Sequence, residues 1–302
     1  MPLIDRLPKV APDGLPAAVL LSFLATAGLF YVNIMAALVT GLSDGLGIKP
    51  AKAGLIASAN VYGAAVGALI AVFLIRRVSW RVAATVALLG LIVIDLLSTR
   101  VVSVLGLTAL RACHGIVGGL LVGVAFGVIA RTRSPDRVFG MLLVVQFGIG
   151  GIGLWALPPL VPMYGTGVLF LALAAFSLAT LAMLPFLPAY PVAAECGVTA
   201  KALPIARKPL AATLAAIFLF QAGNMGLAAF IIGLGRNAGL SQDFIGLTLA
   251  AANWLGAVGS ILVVAMGARF GRAKPVLGSI AVTLLFTAAF WRSDLAVVYV
   301  AA

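Results

Sequence analysis

Arg111 and His114 lie three residues apart inside the apolar stretch Val104 to Ala130, VLGLTALRACHGIVGGLLVGVAFGVIA. In a helix that interval puts both on one face, one turn apart. An arginine in hydrocarbon costs about 3 kcal/mol or more unless it meets water or a partner. His114 is the single histidine of the chain, and histidine is the side chain whose ordinary titration falls near neutrality. The pair therefore reads as a charged site opening on a cavity, suited to contact with an anion and to binding a proton. Gly115, Gly119, Gly123 and Gly127 follow at four-residue spacing and form a bare ridge below it. Such a ridge lets a second backbone approach, so its expected role is helix packing.

Other polar side chains fall at similar depth. Asn33, Asn60, Gln146, Gln221, Asn224 and Asn253 all sit inside apolar runs. Counted at ~1.5 Å per residue they lie roughly 13 to 17 Å in, near the middle of a ~30 Å hydrocarbon layer. They are candidate substrate contacts, the alternative being hydrogen-bonded glue between helices at ~0.6 kcal/mol each. Asp95 is the one acid within a span, near its outer end, and reads as an interfacial residue rather than a proton carrier. Gly148 to Gly153 spells Gly-x-Gly-x-x-Gly, but no strand precedes it, so it does not read as a nucleotide loop. There is no HExxH and no P-loop. No metal, no cofactor and no enzymatic activity are expected.

The elements that must carry these residues follow from composition. The chain has 302 residues, 63% hydrophobic and only 9% charged, with a mean hydropathy of +1.21. No soluble globular domain reads this way. The net charge of +12 falls in short segments between apolar runs, which suits positive-inside topology and not a nucleic-acid surface. Spans are expected at about 15–42, 51–75, 79–98, 102–130, 138–161, 164–187, 209–235, 242–267 and 275–292, with a tenth starting near Leu295. The first run is too long for a signal-peptide core and reads as a retained span. Cys113 in a span and Cys196 in a loop are not expected to pair.

Basic residues alternate between the two sides. One side carries Arg6, Lys9, Arg76, Arg77, Arg81, Arg131, Arg133, Arg137, Lys201, Arg207, Lys208, Arg269, Arg272 and Lys274. The other carries only Lys49, Lys52, Arg100, Arg236 and Arg292. The richer side, with the N-terminus, is expected in the cytoplasm. The one long connection, 188–208, contains Pro188, Pro191, Pro204 and Glu195 and reads as a linker. A repeat spans it. Ala59-Asn60-Val61-Tyr62-Gly63-Ala64 recurs as Ala252-Asn253-Trp254-Leu255-Gly256-Ala257, and the same interval separates Arg76 from Arg269. Asn33 and Asn224 are spaced almost identically. The expected fold is all-α, a polytopic transmembrane helix bundle of two six-helix pseudo-repeats with the second incomplete: 1–187, a cytoplasmic linker 188–208, and 209–302.

Leu107, Arg111 and Gly115 match the Leu-xxx-Arg-xx-Gln-Gly pattern of the major facilitator superfamily, with His114 where Gln is usual. Arg269-Phe270-Gly271-Arg272 resembles that family's loop signature after the eighth span, with Ala268 in place of its Asp. The loop after the second span keeps only the basic Arg76, Arg77 and Arg81. The resemblance covers essentially the whole chain and implies a secondary active transporter working by alternating access. Arg111 would serve substrate contact or proton coupling, and the two arginine loops would act as gates; His114, by its own titration, is the candidate partner in proton coupling, the alternative being a neutral hydrogen-bonding core residue in place of Gln. The family's fifth-span antiporter motif has Leu154 where its Pro belongs. Proton-coupled symport of a small organic anion is therefore the expected function. Efflux of a drug or metabolite by antiport, or a truncated membrane protein that does not transport, are the alternatives. The family's twelve spans imply that this chain stops inside the tenth, and the 302-residue product alone is expected not to transport. A monomer in the plasma membrane is expected, as in a bacterial inner membrane, with the bilayer, a small solute and protons as partners. A membrane enzyme acting on lipids would call for paired acids or clustered histidines, and neither is present.

Overall fold

A computed structural model of the chain describes residues 8–75, 77–190, 207–266 and 273–289. All the regular elements among them are helical. Eight segments are long and apolar enough to cross a membrane: Leu15–Asn33, Pro50–Leu74, Trp80–Ser98, Val104–Ile129, Pro135–Tyr164, Gly167–Phe186, Lys208–Asn237 and Gln242–Ile261. Large apolar side chains point outward along them, among them Leu105 at 82% exposure and Phe73 at 74%. A surface of that kind needs lipid around it, and the chain reads as a multi-pass membrane protein. A further helix over Ala273–Ala289 falls on the ninth expected span. The expected tenth span lies outside the described residues, as do Cys196 and the loop residues Arg76, Arg269, Gly271 and Arg272.

The helices are α1 (Leu15–Asn33), α2 (Met35–Leu46), α3 (Pro50–Leu74), α4 (Trp80–Ser98), α5 (Val104–Ile129) and α6 (Pro135–Ala156). After them come α7 (Val161–Tyr164), α8 (Gly167–Met183), α9 (Arg207–Asn237), α10 (Gln242–Met266) and α11 (Ala273–Ala289). Local chemistry sets several ends. Pro50 and Pro135 start α3 and α6, where a missing N–H costs nothing. Ser103 caps α5 by accepting from the Gly106 N–H at 3.2 Å. Gly47, at φ +62°, stops α2.

The first expected span, 15–42, is not one helix. It breaks at Ile34 (φ −108°, ψ 19°) and runs on to Leu46. Neither Pro nor Gly stands at the break. Tertiary packing holds it: Asn33 bonds to Gln146, and the buried Ile34 fills the space that Gly153 of α6 leaves open.

Two apolar clusters stack along the bundle. One gathers Leu24, Leu88, Leu91, Leu121 and Val124, toward the end where α1 starts and α5 finishes. The other gathers Phe30, Leu38, Ile56, Leu107 and Phe170, toward the opposite end. Between them α5 packs against α3, α4 and α1.

The α3–α5 seam is a two-sided glycine interface. A methyl group at Gly115 would run into the Asn60 carbonyl, and one at Gly119 into the Ala64 carbonyl. From the other side, Gly63 and Gly67 meet the carbonyls of Ala112 and Ile116. Lower on the ridge, Gly123 meets Ala71 and Gly127 meets the flexible end of Ile75. The repeated motif makes a related contact on α10: Gly256 faces the Phe147 ring of α6, as Gly63 faces α5.

The basic end of the bundle is tied shut. Arg133 bonds Asp13 at 3.2 Å, Val10 donates to the Phe186 carbonyl, and Tyr190 donates to the Pro12 carbonyl. Burial pushes the Tyr190 phenol up to about 12, helped by Asp13 and opposed by Arg81, so it stays a hydrogen-bond donor at neutral pH. Arg81 donates to the Leu187 carbonyl, its guanidinium 5.0 Å from the Trp80 ring centre. Arg77 is exposed. At the opposite end Arg236 of α9 pairs with Asp44 of α2 and with Gln242.

Gly119→Ala should destabilise the protein by about 1–3 kcal/mol, because its methyl meets backbone that cannot move aside. Gly223→Ala, on α9 with nothing near it, should be neutral or slightly stabilising. Thermal unfolding of the purified variants in detergent compares them directly; equal melting points would refute the tight seam.

Candidate functional site

Arg111 does not open on a cavity. Its side chain is fully buried, and so is that of Asp95. Arg111 Nη1 donates to Asp95 Oδ1 at 2.8 Å, while Nη2 donates to the Ser98 hydroxyl and to the Ile94 carbonyl. Its guanidinium carbon lies 4.8 Å from the Phe170 ring centre and 5.7 Å from that of Tyr31. Such contacts favour a cation over an aromatic face.

Asp95, expected at the interface, is fully buried among the helices and paired with Arg111. It is near the end of α4 in sequence, but side chains on a helix lean toward its N-terminus. Arg111 on α5 therefore reaches back toward the outer end, to the level of the last turn of α4. Depth counted along the backbone missed that meeting.

His114 joins the pair. Its Nε2 lies 3.4 Å from Asp95 Oδ2, within ion-pair reach but not aligned as a hydrogen bond. Its Nδ1 is 2.8 Å from Asn60 Nδ2, which also donates to the Arg111 carbonyl at 3.2 Å. The Tyr31 ring stacks obliquely on the imidazole at 5.6 Å. Five helices thus contribute: α1 with Tyr31, α3 with Asn60, α4 with Asp95 and Ser98, α5 with Arg111 and His114, and α8 with Phe170. Asp95 Oδ2, Arg111 Nε and the Tyr31 hydroxyl are buried without a hydrogen-bond partner among the described residues. A buried polar atom without such a partner costs about 1–3 kcal/mol.

The remaining polar residues separate into two groups. Gln146 Nε2 donates to Asn33 Oδ1 at 2.9 Å, and Asn33 Nδ2 returns to the Gln146 carbonyl at 3.4 Å. Gly150, one turn further along α6, leaves room for Asn33 on one side and Asn253 on the other. Asn253 donates to the Leu249 carbonyl of its own helix, and Trp254 Nε1 donates to the Gly148 carbonyl. These residues link α1, α6 and α10. Gln221 and Asn224 stand apart on α9, both exposed. Gln221 lines a cleft of about 660 Å³ between α2, α3 and α9, together with Ser58, Tyr62, Met35, Met225 and Phe230. No charged side chain lines it. Cys113 is free and exposed.

No protein-family model matches this chain, and no curated protein matches it.

Removing one partner of a fully buried ion pair costs about 3–5 kcal/mol, because the other charge is stranded. Asp95→Ala should lower stability by that amount. Asp95→Leu combined with Arg111→Met, which leaves neither charge, should recover most of it. Thermal unfolding followed by tryptophan fluorescence tests this; an Asp95→Ala protein that melts like wild type would mean the pair is not formed.

Proposed function

We propose that the chain belongs to a secondary active transporter of a small solute, and that the Asp95–Arg111–His114–Asn60 network is its proton-coupling element. One observation carries the reading: a fully buried acid–base pair with a histidine inside a bundle of apolar, membrane-length helices. Ionisable groups at such depth are expensive and are kept where they move ions or protons. The match of Leu107, Arg111 and Gly115 to the major facilitator pattern points the same way. The expectation of an organic anion rests on Arg111 as a free cation; with Asp95 on Arg111, that preference loses its footing. The uncharged lining of the α2–α3–α9 cleft favours a neutral, largely apolar solute instead, and its volume is within the usual range for small-molecule sites. The basic end, with Arg77, Arg81 and Arg133, faces the cytoplasm in this reading.

The test reconstitutes the protein into liposomes, finds the solute by thermal stabilisation, and measures its binding between about pH 5 and pH 8, where an ordinary histidine changes charge. Proton and solute must raise each other's affinity equally if they load together. Symport then requires tighter binding as pH falls, by roughly tenfold for a coupling of ~1–3 kcal/mol. His114→Gln should flatten that dependence and leave binding measurable. Full pH dependence in His114→Gln would remove the histidine from coupling. For orientation, a cysteine at Arg133 in an otherwise cysteine-free chain should resist an impermeant reagent in intact cells, and one at Lys49 should react.

A further inference from the structure

Asn60 sits between two acceptors whose demands differ. The Arg111 backbone carbonyl, 3.2 Å from Asn60 Nδ2, can only accept a hydrogen bond. The amide must therefore present its nitrogen there, since the reverse orientation would set oxygen against oxygen. That same nitrogen lies 2.8 Å from His114 Nδ1. With an N–H aimed at it, Nδ1 must hold a lone pair. The proton of the neutral ring is then on Nε2, the nitrogen 3.4 Å from Asp95 Oδ2.

We infer that Asn60 is a positioning residue: it fixes His114 in the Nε2–H tautomer and leaves Nδ1 as the proton-binding atom of the network. A proton that arrives at Nδ1 turns this acceptor into a donor. Two N–H groups then face each other, and the Asn60 amide has to turn away, giving up its bond to the Arg111 carbonyl. The charged ring gains in exchange. Among the described residues Asp95 Oδ2 has no hydrogen-bond partner while Oδ1 holds Arg111, so it can take the Nε2–H fully.

The groups that face the ring are Asp95 from α4, which favours its charge, Arg111 from α5, which opposes it, and the uncharged Tyr31 and Asn60 from α1 and α3. The place of the exchange matters. Gly115 packs against the Asn60 backbone within the close α3–α5 seam, so proton entry acts on the contact between these two helices. The inference deepens the coupling role proposed above, and it depends on the transport reading only for the use made of the proton.

Because His114 is the single histidine, a protein labelled with nitrogen-15 histidine gives ring signals from this site alone. In the neutral ring, Nε2 should carry the proton and Nδ1 should show the signature of a bare nitrogen. On acidification Nδ1 should gain a proton, and in a second sample labelled at asparagine the Asn60 side-chain amide signal should shift in the same step. Asn60→Leu should lose the single tautomer, the two nitrogen signals moving toward each other. A neutral wild-type ring protonated on Nδ1 overturns the inference. So does a ring that charges while the Asn60 amide signal stays still, or a variant with the tautomer unaltered. Should Asn60→Leu not fold, the wild-type spectrum and its acid titration decide the matter alone. A protein whose solute binding ignores pH but which shows this tautomer would sink the coupling reading and keep the inference; pH-dependent binding with the other tautomer would do the reverse.

Discussion

The close approach of α3 to α5 is the constraint on which the site depends. Lipid offers no hydrophobic drive to press two apolar helices together, so they associate where shape lets backbones touch. Glycines on both helices supply that shape: Gly63 and Gly67 on one, Gly115 and Gly119 on the other. The approach brings the short Asn60 side chain to the Arg111 carbonyl and the His114 ring. A seam one side chain wider would leave that amide without either partner. The ridge and the charged residues are therefore one device, the first setting the distance at which the second can bond.

Much of this was legible in the sequence. The apolar runs and the glycine ridge after His114 read as features of packed membrane helices, because each rests on periodicity. Positions that depend on a second helix were not legible in the same way. Asp95 looked interfacial because its backbone is near a helix end; the length and lean of the Arg111 side chain bring the two charges together. Arg111 looked cavity-facing because its partner lies on α4, and no local pattern announces a tertiary ion pair. The break at Ile34 carries no Pro or Gly, and it is held by Gln146 and Gly153 of α6. Of the polar residues placed at one depth, Asn33, Gln146 and Asn253 gather around Gly150, while Gln221 and Asn224 stand on α9. Equal depth says nothing about azimuth, which only packing fixes.

The same six-residue motif illustrates what a repeat conveys. In α3 its Asn reaches across to α5, whereas in α10 the Asn bonds its own helix and the adjacent Trp254 makes the crossing to α6. The glycine three residues after the Asn faces the neighbouring helix in both. Sequence similarity thus preserves the packing surface better than it preserves the hydrogen bond, since a missing side chain tolerates fewer substitutes than a polar one.

The tie between Val10 and Phe186, reinforced by Tyr190 on Pro12, joins the two ends of the first six spans at one face of the bundle. A chain whose entry and exit are already adjacent is topologically close to a ring. For this unit, the order in which the helices are threaded into the bilayer is separable from the arrangement they finally adopt. New ends opened between α4 and α5, with the old ones fused by a few residues, would leave every helix neighbour in place. The architecture of these six spans belongs to the ring of contacts rather than to the point at which translation happens to begin.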